Sequence, residues 1–97
     1  MSAYSPALEL PLIIIDADTW IDLDTGDEAV IRGRVFAATH KGIVLTFADW
    51  TDLYVEAEYG DNVQQYLGKV IDLPVTRTED GLASSQEQTQ RARKVFD

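Results

Sequence analysis

Hydrophobic and polar residues alternate along most of this chain, and the alternation predicts short β-strands. In residues 28–38, Ile31 and Val35 share one face while Arg32 and Arg34 share the other. A period of two residues is typical of a strand with one buried face. The same reasoning predicts extended segments at 8–15, 20–23, 28–38, 43–48, 53–59 and 69–77.

Turns are predicted between these segments. Residues 24–27 (DTGD), 39–42 (THKG) and 49–52 (DWTD) are rich in the aspartate, threonine and glycine that favour turns. Gly42 closes the second of them and is expected at a positive φ, which glycine adopts without a steric penalty. The turns at 39–42 and 49–52 therefore divide the segment 28–59 into a meander of three strands.

The period changes to that of a helix in residues 60–68. Asp61 or Asn62 would cap this helix, and Gly68 would end it. Pro74, in the strand that follows, predicts an edge position or a bulge because proline has no N–H to donate. A short helix is thus expected before the last strand.

This order of elements resembles that of SH3-like small barrels, in which a long loop follows the first strand and a helical turn precedes the last. An OB-like barrel is the alternative, because three strands, a helix and a strand also match its middle. We therefore predict an all-β fold: a single small antiparallel β-barrel at 8–78 with one short helix before the last strand. A frayed N-terminus at 1–7 precedes it, and a flexible or conditionally helical tail at 79–97 follows it.

Length and composition narrow the class of protein. The 97 residues suffice for one domain with a modest core, and 45% of them are hydrophobic, as in globular proteins. The longest apolar run is far shorter than the ~20 residues of a membrane helix. The absence of cysteine excludes disulfides and thiolate metal sites. We expect a cytoplasmic protein with no cofactor and no membrane association.

The net charge of −9 is concentrated near the N-terminus, where residues 1–31 contain seven acidic residues and no lysine or arginine. A field of this sign repels phosphates at long range and attracts basic partners. The charge therefore predicts a protein partner with a basic surface and disfavours nucleic acid. It leaves the oligomeric state open.

The tripeptide Asp24-Thr25-Gly26 introduces an enzymatic alternative. Together with the segment 66–70 (YLGKV), it resembles the retropepsin family of aspartic proteases, in which this aspartate is catalytic and the second segment braces it. The chain departs from that family because Asp27 stands where a small residue is expected and no glycine-rich flap lies between the two segments. We therefore predict a turn with Gly26 in a left-handed conformation and no catalytic residue, and keep the protease as a remote alternative.

The carboxylates between positions 16 and 28 introduce a cation site as a further alternative, because Ca²⁺ prefers several oxygen ligands. Counted from Asp22 as an EF-hand loop, glycine falls one place early and Gly33 stands where glutamate is needed. The single histidine, His40, excludes a multi-histidine metal site. No metal site is predicted, and weak cation binding by the acidic loop stays open.

Exposed aromatic and acidic residues are the candidates for binding a protein. Trp50 falls in a predicted turn between Asp49 and Asp52, and tryptophan is enriched at the energetic centres of interfaces. The predicted protein-binding residues are Trp20, Asp22, Asp49, Trp50, Asp52 and Tyr54. The sequence thus predicts a non-enzymatic binding module that acts as an adaptor, an accessory subunit or an inhibitor. A nucleic-acid-binding protein is one target that such an inhibitor could have.

The second functional hypothesis is an OB-like module that binds single-stranded nucleic acid. Arg32, Arg34 and Lys41, beside aromatic residues, would neutralise phosphates and stack bases. The competing interpretation is that the arginines pair across the sheet with acidic residues, for which the candidates are Asp22, Glu56 and Glu58. The outward position of the two glutamates favours this pairing.

Overall fold

Strands dominate the computed structural model, which describes residues 14–15 and 20–95. The strands are β1 (Ile14–Ile15), β2 (Glu28–Ala38), β3 (Gly42–Thr46), β4 (Asp52–Glu56), β5 (Val70–Arg77), β6 (Leu82–Ala83) and β7 (Arg93–Lys94). The helical segments are a 3₁₀ turn (Trp20–Asp22), a 3₁₀ helix (Gly60–Tyr66) and the helix α1 (Gln86–Gln90). The predicted frayed segment 1–7 and most of the first predicted strand lie outside the described residues.

Five strands close a barrel in the order β2, β3, β4, β6, β5 and back to β2. The long strand β2 makes closure possible, because residues 28–34 pair with β5 and residues 34–38 pair with β3. A β-bulge between Val35 and Ala37 lies in the second half of this strand and bends it. The prediction of a single small β-barrel is confirmed.

The barrel is mixed, which corrects the prediction of an antiparallel sheet. β1 runs parallel to β2, and β6 runs parallel to β4 at the pair Glu56 and Ala83. β6 also pairs antiparallel with β5 through Thr76 and Arg77. Because β4 and β5 run in opposite directions, a strand that turns back from β5 into the gap between them must be parallel to β4.

Aliphatic side chains fill the barrel, on the strand faces that the alternation predicts. The largest fully buried side chains of the strands are Ile31, Val35, Ile43, Leu45, Val55, Ile71, Leu73 and Val75, and the 3₁₀ helix adds Val63. Complete burial of such a side chain stabilises a fold by roughly 1.5–3 kcal/mol. The inner face of each strand is therefore set by its own hydrophobic pattern.

The structure corrects the prediction of a flexible tail at 79–97, because residues 82–95 pack on the barrel. The buried residues of this segment are Leu82, Ser84, Gln88, Thr89 and Ala92. Ser85 caps α1: its hydroxyl accepts from the Gln88 amide (3.1 Å), and the Gln88 side chain accepts from the Ser85 amide (2.9 Å). The Ser84 hydroxyl donates to Pro74 O (2.9 Å). Hydrogen bonds thus allow polar side chains to be buried here.

Two local predictions about the N-terminal half are also corrected. The segment 20–23 is not extended, because Leu23 N donates to Trp20 O (3.1 Å) and closes a 3₁₀ turn. Gly42 does not have a positive φ; among the described glycines that conformation belongs to Gly26 (φ 96°) and Gly68 (φ 79°). Space explains Gly42 instead, because the ring of Tyr54 lies where its Cβ would be.

The predicted short helix at 60–68 is present as the 3₁₀ helix, and Gly68 follows its end in the left-handed conformation. Neither Asp61 nor Asn62 caps it, because Tyr59 occupies the N-cap position without a side-chain hydrogen bond. Pro74 lies in β5 between the residues that pair with β7 and those that pair with β6. Neither β6 nor β7 pairs with β5 at this residue, so proline can be accommodated in a paired strand although it has no N–H to donate.

Candidate functional site

The tripeptide Asp24-Thr25-Gly26 forms the predicted turn. Asp27 N donates to Asp24 O (2.9 Å), and Asp24 N donates to the carboxylate of Asp27 (2.9 Å). Gly26 has a φ of 96°, as predicted for the left-handed position. Asp27, the residue that departs from the retropepsin pattern, is thus a hydrogen-bonding partner within the turn.

The two segments that resemble retropepsins lie at opposite ends of β5. Gly26 N donates to Arg77 O (2.8 Å) at one end of this strand. Gly68 N donates to Val35 O (2.9 Å) beside the other end. The rise of ~3.3 Å per residue in a strand puts about 23 Å between the two ends. The segment around Gly68 therefore does not brace Asp24.

The turn between β3 and β4 presents Trp50 to solvent on a strained backbone. Trp50 N donates to Phe47 O (2.9 Å), and Phe47 N donates to Thr51 O (2.9 Å), which defines a three-residue hairpin loop. The last residue of such a loop adopts the left-handed conformation that favours glycine, and here it is Trp50 with a φ of 68°. That conformation costs a residue with a Cβ roughly 1–2 kcal/mol. The side chain is 85% exposed, so packing within the chain does not offset this cost.

Two carboxylates flank Trp50, and both are held by the hairpin. The Asp49 carboxylate accepts a hydrogen bond from Thr51 N (3.0 Å). The Asp52 carboxylate accepts one from the hydroxyl of Thr46 (2.9 Å). Both aspartates are exposed. The hairpin therefore displays an indole between two fixed negative charges.

Hydrogen bonds from the side chain and the amide of Thr51 lower the pKa of Asp49, which predicts that acid weakens this turn. Because the folded-state pKa is the lower one, the stabilisation is fully present above the unfolded value of ~3.9 and is lost as the pH falls through the folded value. The Thr51 amide should titrate by NMR with a midpoint below ~3.9, and Asp49→Asn should remove that titration. A midpoint at or above the unfolded value would contradict the hydrogen bond.

Tyr54 and Trp50, which the sequence predicted on one surface, point to different ends of β3. The Tyr54 hydroxyl donates to Lys41 O (3.0 Å), and its ring covers Gly42. Tyr54 thus reaches the turn between β2 and β3, whereas Trp50 lies in the turn between β3 and β4. Of the predicted residues, Asp49, Trp50 and Asp52 are brought together by one hairpin.

Trp20 and Asp22 belong to the 3₁₀ turn and not to this hairpin. The Trp20 ring packs against the core and stacks on the Arg77 guanidinium, 4.8 Å from the ring centroid. A cation–π contact of this kind stabilises a fold by ~0.5–1 kcal/mol or more, depending on its exposure. An internal contact therefore accounts for Trp20, while Asp22 is exposed.

Arg32 and Arg34 both contact groups of this chain. Arg32 binds the Asp72 carboxylate with two hydrogen bonds (2.8 and 3.0 Å), and this hydrogen bonding and charge raise the pKa of Arg32. Asp72 lies directly opposite Arg32 on β5, so the predicted cross-strand pairing is present, with a partner that was not among the predicted acids. Arg34 donates to Gly68 O. Lys41 lies in a separate turn, so the three basic residues do not form one row.

The structure adds a cleft of about 880 Å³ that sequence analysis missed. Tyr54, Glu56, Glu58 and Tyr59 are among the residues that line it, together with residues 83–86 and Gln88 of the C-terminal segment. The cleft exists because that segment packs on the barrel, which local sequence patterns do not report. Its carboxylates extend the acidic surface beyond the hairpin.

Within the described part of the chain, no group of three acidic or histidine residues is placed to hold a metal ion. No helix there has the length and apolar character needed to cross a membrane. Asp16 and Asp18 lie outside the described residues, so weak cation binding by the acidic loop stays an open alternative.

Comparison with protein-family models, with curated proteins and with solved structures finds no match to this chain.

Proposed function

We propose that this protein is a non-enzymatic binding module that docks on a basic protein partner through the Trp50 turn, defined as Asp49, Trp50 and Asp52. The observation that carries the proposal is an exposed tryptophan at a backbone position that favours glycine. Strained residues that are not offset by packing cluster at functional sites. The flanking carboxylates complement a partner with lysine or arginine around an apolar pocket.

The energies favour an anchor over a structural role. A tryptophan buries about 150–250 Å² when it is covered, which is worth roughly 4–6 kcal/mol at ~25 cal/mol per Å². The backbone strain at this position is smaller, roughly 1–2 kcal/mol. A partner that covers the indole therefore recovers more free energy than the isolated turn loses.

We further infer that the barrel is OB-like rather than SH3-like. The support is the position of β6, which lies between β4 and β5 and is parallel to β4. OB-like barrels bind ligands on the face of their second and third strands, which correspond to β3 and β4 here. Asp52 and Glu56 on β4 make this region acidic, which favours a basic protein over nucleic acid.

The proposed docking surface is compatible with an adaptor, an accessory subunit or an inhibitor, including an inhibitor that occupies the basic surface of a nucleic-acid-binding protein. Inhibition would then rest on carboxylates that take the place of phosphates. A cytoplasmic location is the expectation that accompanies this proposal.

Replacement of Trp50 by glycine is expected to raise stability and abolish binding at once. Glycine relieves the left-handed strain, so the free energy of unfolding should rise by about 1 kcal/mol. Loss of the indole should weaken partner capture at least tenfold. Urea unfolding measures the first effect, and a pull-down from source-cell extract with tagged protein measures the second. A structural tryptophan would give the opposite sign in the unfolding experiment.

The pull-down needs a matched control and a nuclease arm. Ile21→Ser removes another exposed apolar side chain (63% exposed) outside the Trp50 turn and should leave capture unchanged. Capture that survives nuclease and is lost with Trp50→Gly supports the proposal. Capture that disappears with nuclease, and with Arg32→Ala plus Arg34→Ala, overturns it in favour of the nucleic-acid-binding module.

A further inference from the structure

The outer face of β2, β3 and β4 carries two cross-strand rows of side chains. Strand register places Arg34 beside Thr46 and Thr46 beside Asp52 in the first row. In the second row, Val44 on β3 pairs with Tyr54 on β4. On the other side Val44 pairs with Ala37 on β2, and Phe36 lies next to that pair, within the bulge between Val35 and Ala37. We call these two rows the sheet face.

The second row is an exposed apolar surface. Phe36 is 69% exposed and Tyr54 is 56% exposed, with Val44 partly buried between them. Aromatic side chains are enriched at protein interfaces, and this row places two of them on one exposed face of the barrel. The first row lies alongside and has a positive charge at one end and a negative charge at the other.

This arrangement is self-complementary. A two-fold axis that runs along β3, in the plane between two facing copies, exchanges the β2 side with the β4 side. Phe36 then faces Tyr54 of the partner subunit, and Arg34 faces Asp52 of the partner subunit. Both contacts occur twice, as in the isologous interfaces of two-fold symmetric dimers.

We propose that a second copy of this chain docks on the sheet face and forms a symmetric dimer. Charge complementarity selects this occupant, because the first row supplies both the positive member, Arg34, and the negative member, Asp52, of each charge pair. The contacts within the described chain use Nη1 of Arg34 and Oδ1 of Asp52. Nη2 and Oδ2 are then available to pair with the partner subunit.

The dimer is expected to be weak. Strands ~4.8 Å apart and rows ~6.8 Å apart give the sheet face a few hundred Å² per subunit, below the ~800 Å² of a standard stable interface. We therefore expect weak association with a dissociation constant that rises with salt, because the interface is small and exposed charge pairs are screened. Trp50 and Asp49 belong to neither row, so each dimer would present two exposed indoles. Asp52 belongs both to the first row and to the Trp50 turn, so the dimer and the proposed docking function share this one residue.

The test is a charge exchange read by sedimentation velocity and NMR diffusion across protein concentration at low salt. Arg34→Asp places two acids at each contact, and Asp52→Arg places two bases there, so each variant alone should associate at least tenfold more weakly than the parent. An equimolar mixture restores an opposite-charge pair at both contacts and should associate like the parent. Arg91→Asp, which makes the same change of charge elsewhere, should leave association unchanged.

Several outcomes would overturn this inference. They are a parent that stays monomeric at millimolar concentration, a dimer insensitive to both substitutions, and a mixture that fails to recover association. Phe36→Ser gives a second arm, since it removes one aromatic residue without altering charge and should also weaken association. Trp50→Gly should leave association intact, so failure of the dimer and failure of the proposed docking function are separable.

Discussion

A chain truncated after Thr78 is expected to lose its cooperative unfolding transition. The truncation removes β6, the strand that joins β4 to β5, together with α1 and β7. It also removes Leu82 from the core, and loss of a buried leucine side chain alone costs roughly 2–5 kcal/mol. Since domains have only ~5–15 kcal/mol of total stability, an open barrel with an additional unpaired edge should not remain folded.

The buried polar residues of this segment add to the loss. The Gln88 side chain donates to the Thr76 hydroxyl (3.0 Å), and the Asn62 side chain donates to the Thr89 hydroxyl (3.0 Å). Truncation leaves both partners on the barrel without these bonds. An unsatisfied buried group costs about 1–3 kcal/mol where water does not replace the bond.

Circular dichroism and urea unfolding measure the effect of truncation. Leu82→Ala provides a graded comparison and should lower the free energy of unfolding by roughly 2–5 kcal/mol while keeping a cooperative transition. A truncated chain with the parent's urea midpoint and amide spectrum would show that residues 79–97 are a dispensable tail after all.

The second large effect is expected at Gly60, where alanine should destabilise the fold by about 3 kcal/mol. A Cβ at this position would lie far inside van der Waals contact with Thr39 O and 3.0 Å from Gly42 O. Both are backbone atoms of the turn between β2 and β3. They cannot retreat freely, because Thr39 N donates to Gly42 O (2.9 Å) and Gly42 N donates to Thr39 O (3.3 Å).

Gly81→Ala is the matched control for this measurement. Gly81 has no atom within 4 Å of its Cβ position and has no positive φ. The same added methyl group should therefore change the free energy of unfolding by no more than ~0.5 kcal/mol. Equal losses for the two variants in urea unfolding would show that the close approach of Gly60 to the β2–β3 turn is not what stabilises this region.

Local periodicity was sufficient to predict the strands of the barrel that bury one face. β2, β3, β4 and β5 were recognisable because each places large aliphatic residues at alternate positions, and the tryptophan between two aspartates was recognisable as part of a turn. The turn at Asp24 was predictable for a similar reason, since Asp27 and Gly26 are residues that stabilise turns locally. These features depend on neighbours along the chain.

The candidate site required information from distant residues. The sequence indicated that Arg32 pairs with an acid but not that the acid is Asp72, because register between β2 and β5 selects the partner. The sequence predicted Tyr54 and Trp50 on one surface. In the structure the ring of Tyr54 instead covers Gly42 on the neighbouring strand β3, where there is no side chain to exclude it. Both outcomes depend on cross-strand contacts that no single segment contains.

The sequence by itself determined an acidic barrel of short strands and an exposed tryptophan in a turn, because alternation, turn chemistry and charge act over a few residues. Only the tertiary structure decided that β6 closes the barrel in parallel with β4, and that Ser84, Gln88 and Thr89 are buried. A polar residue is buried when a partner satisfies its hydrogen bonds. Here those partners are contributed by Pro74, Thr76 and Asn62, which lie elsewhere in the chain and meet the C-terminal segment when the barrel forms.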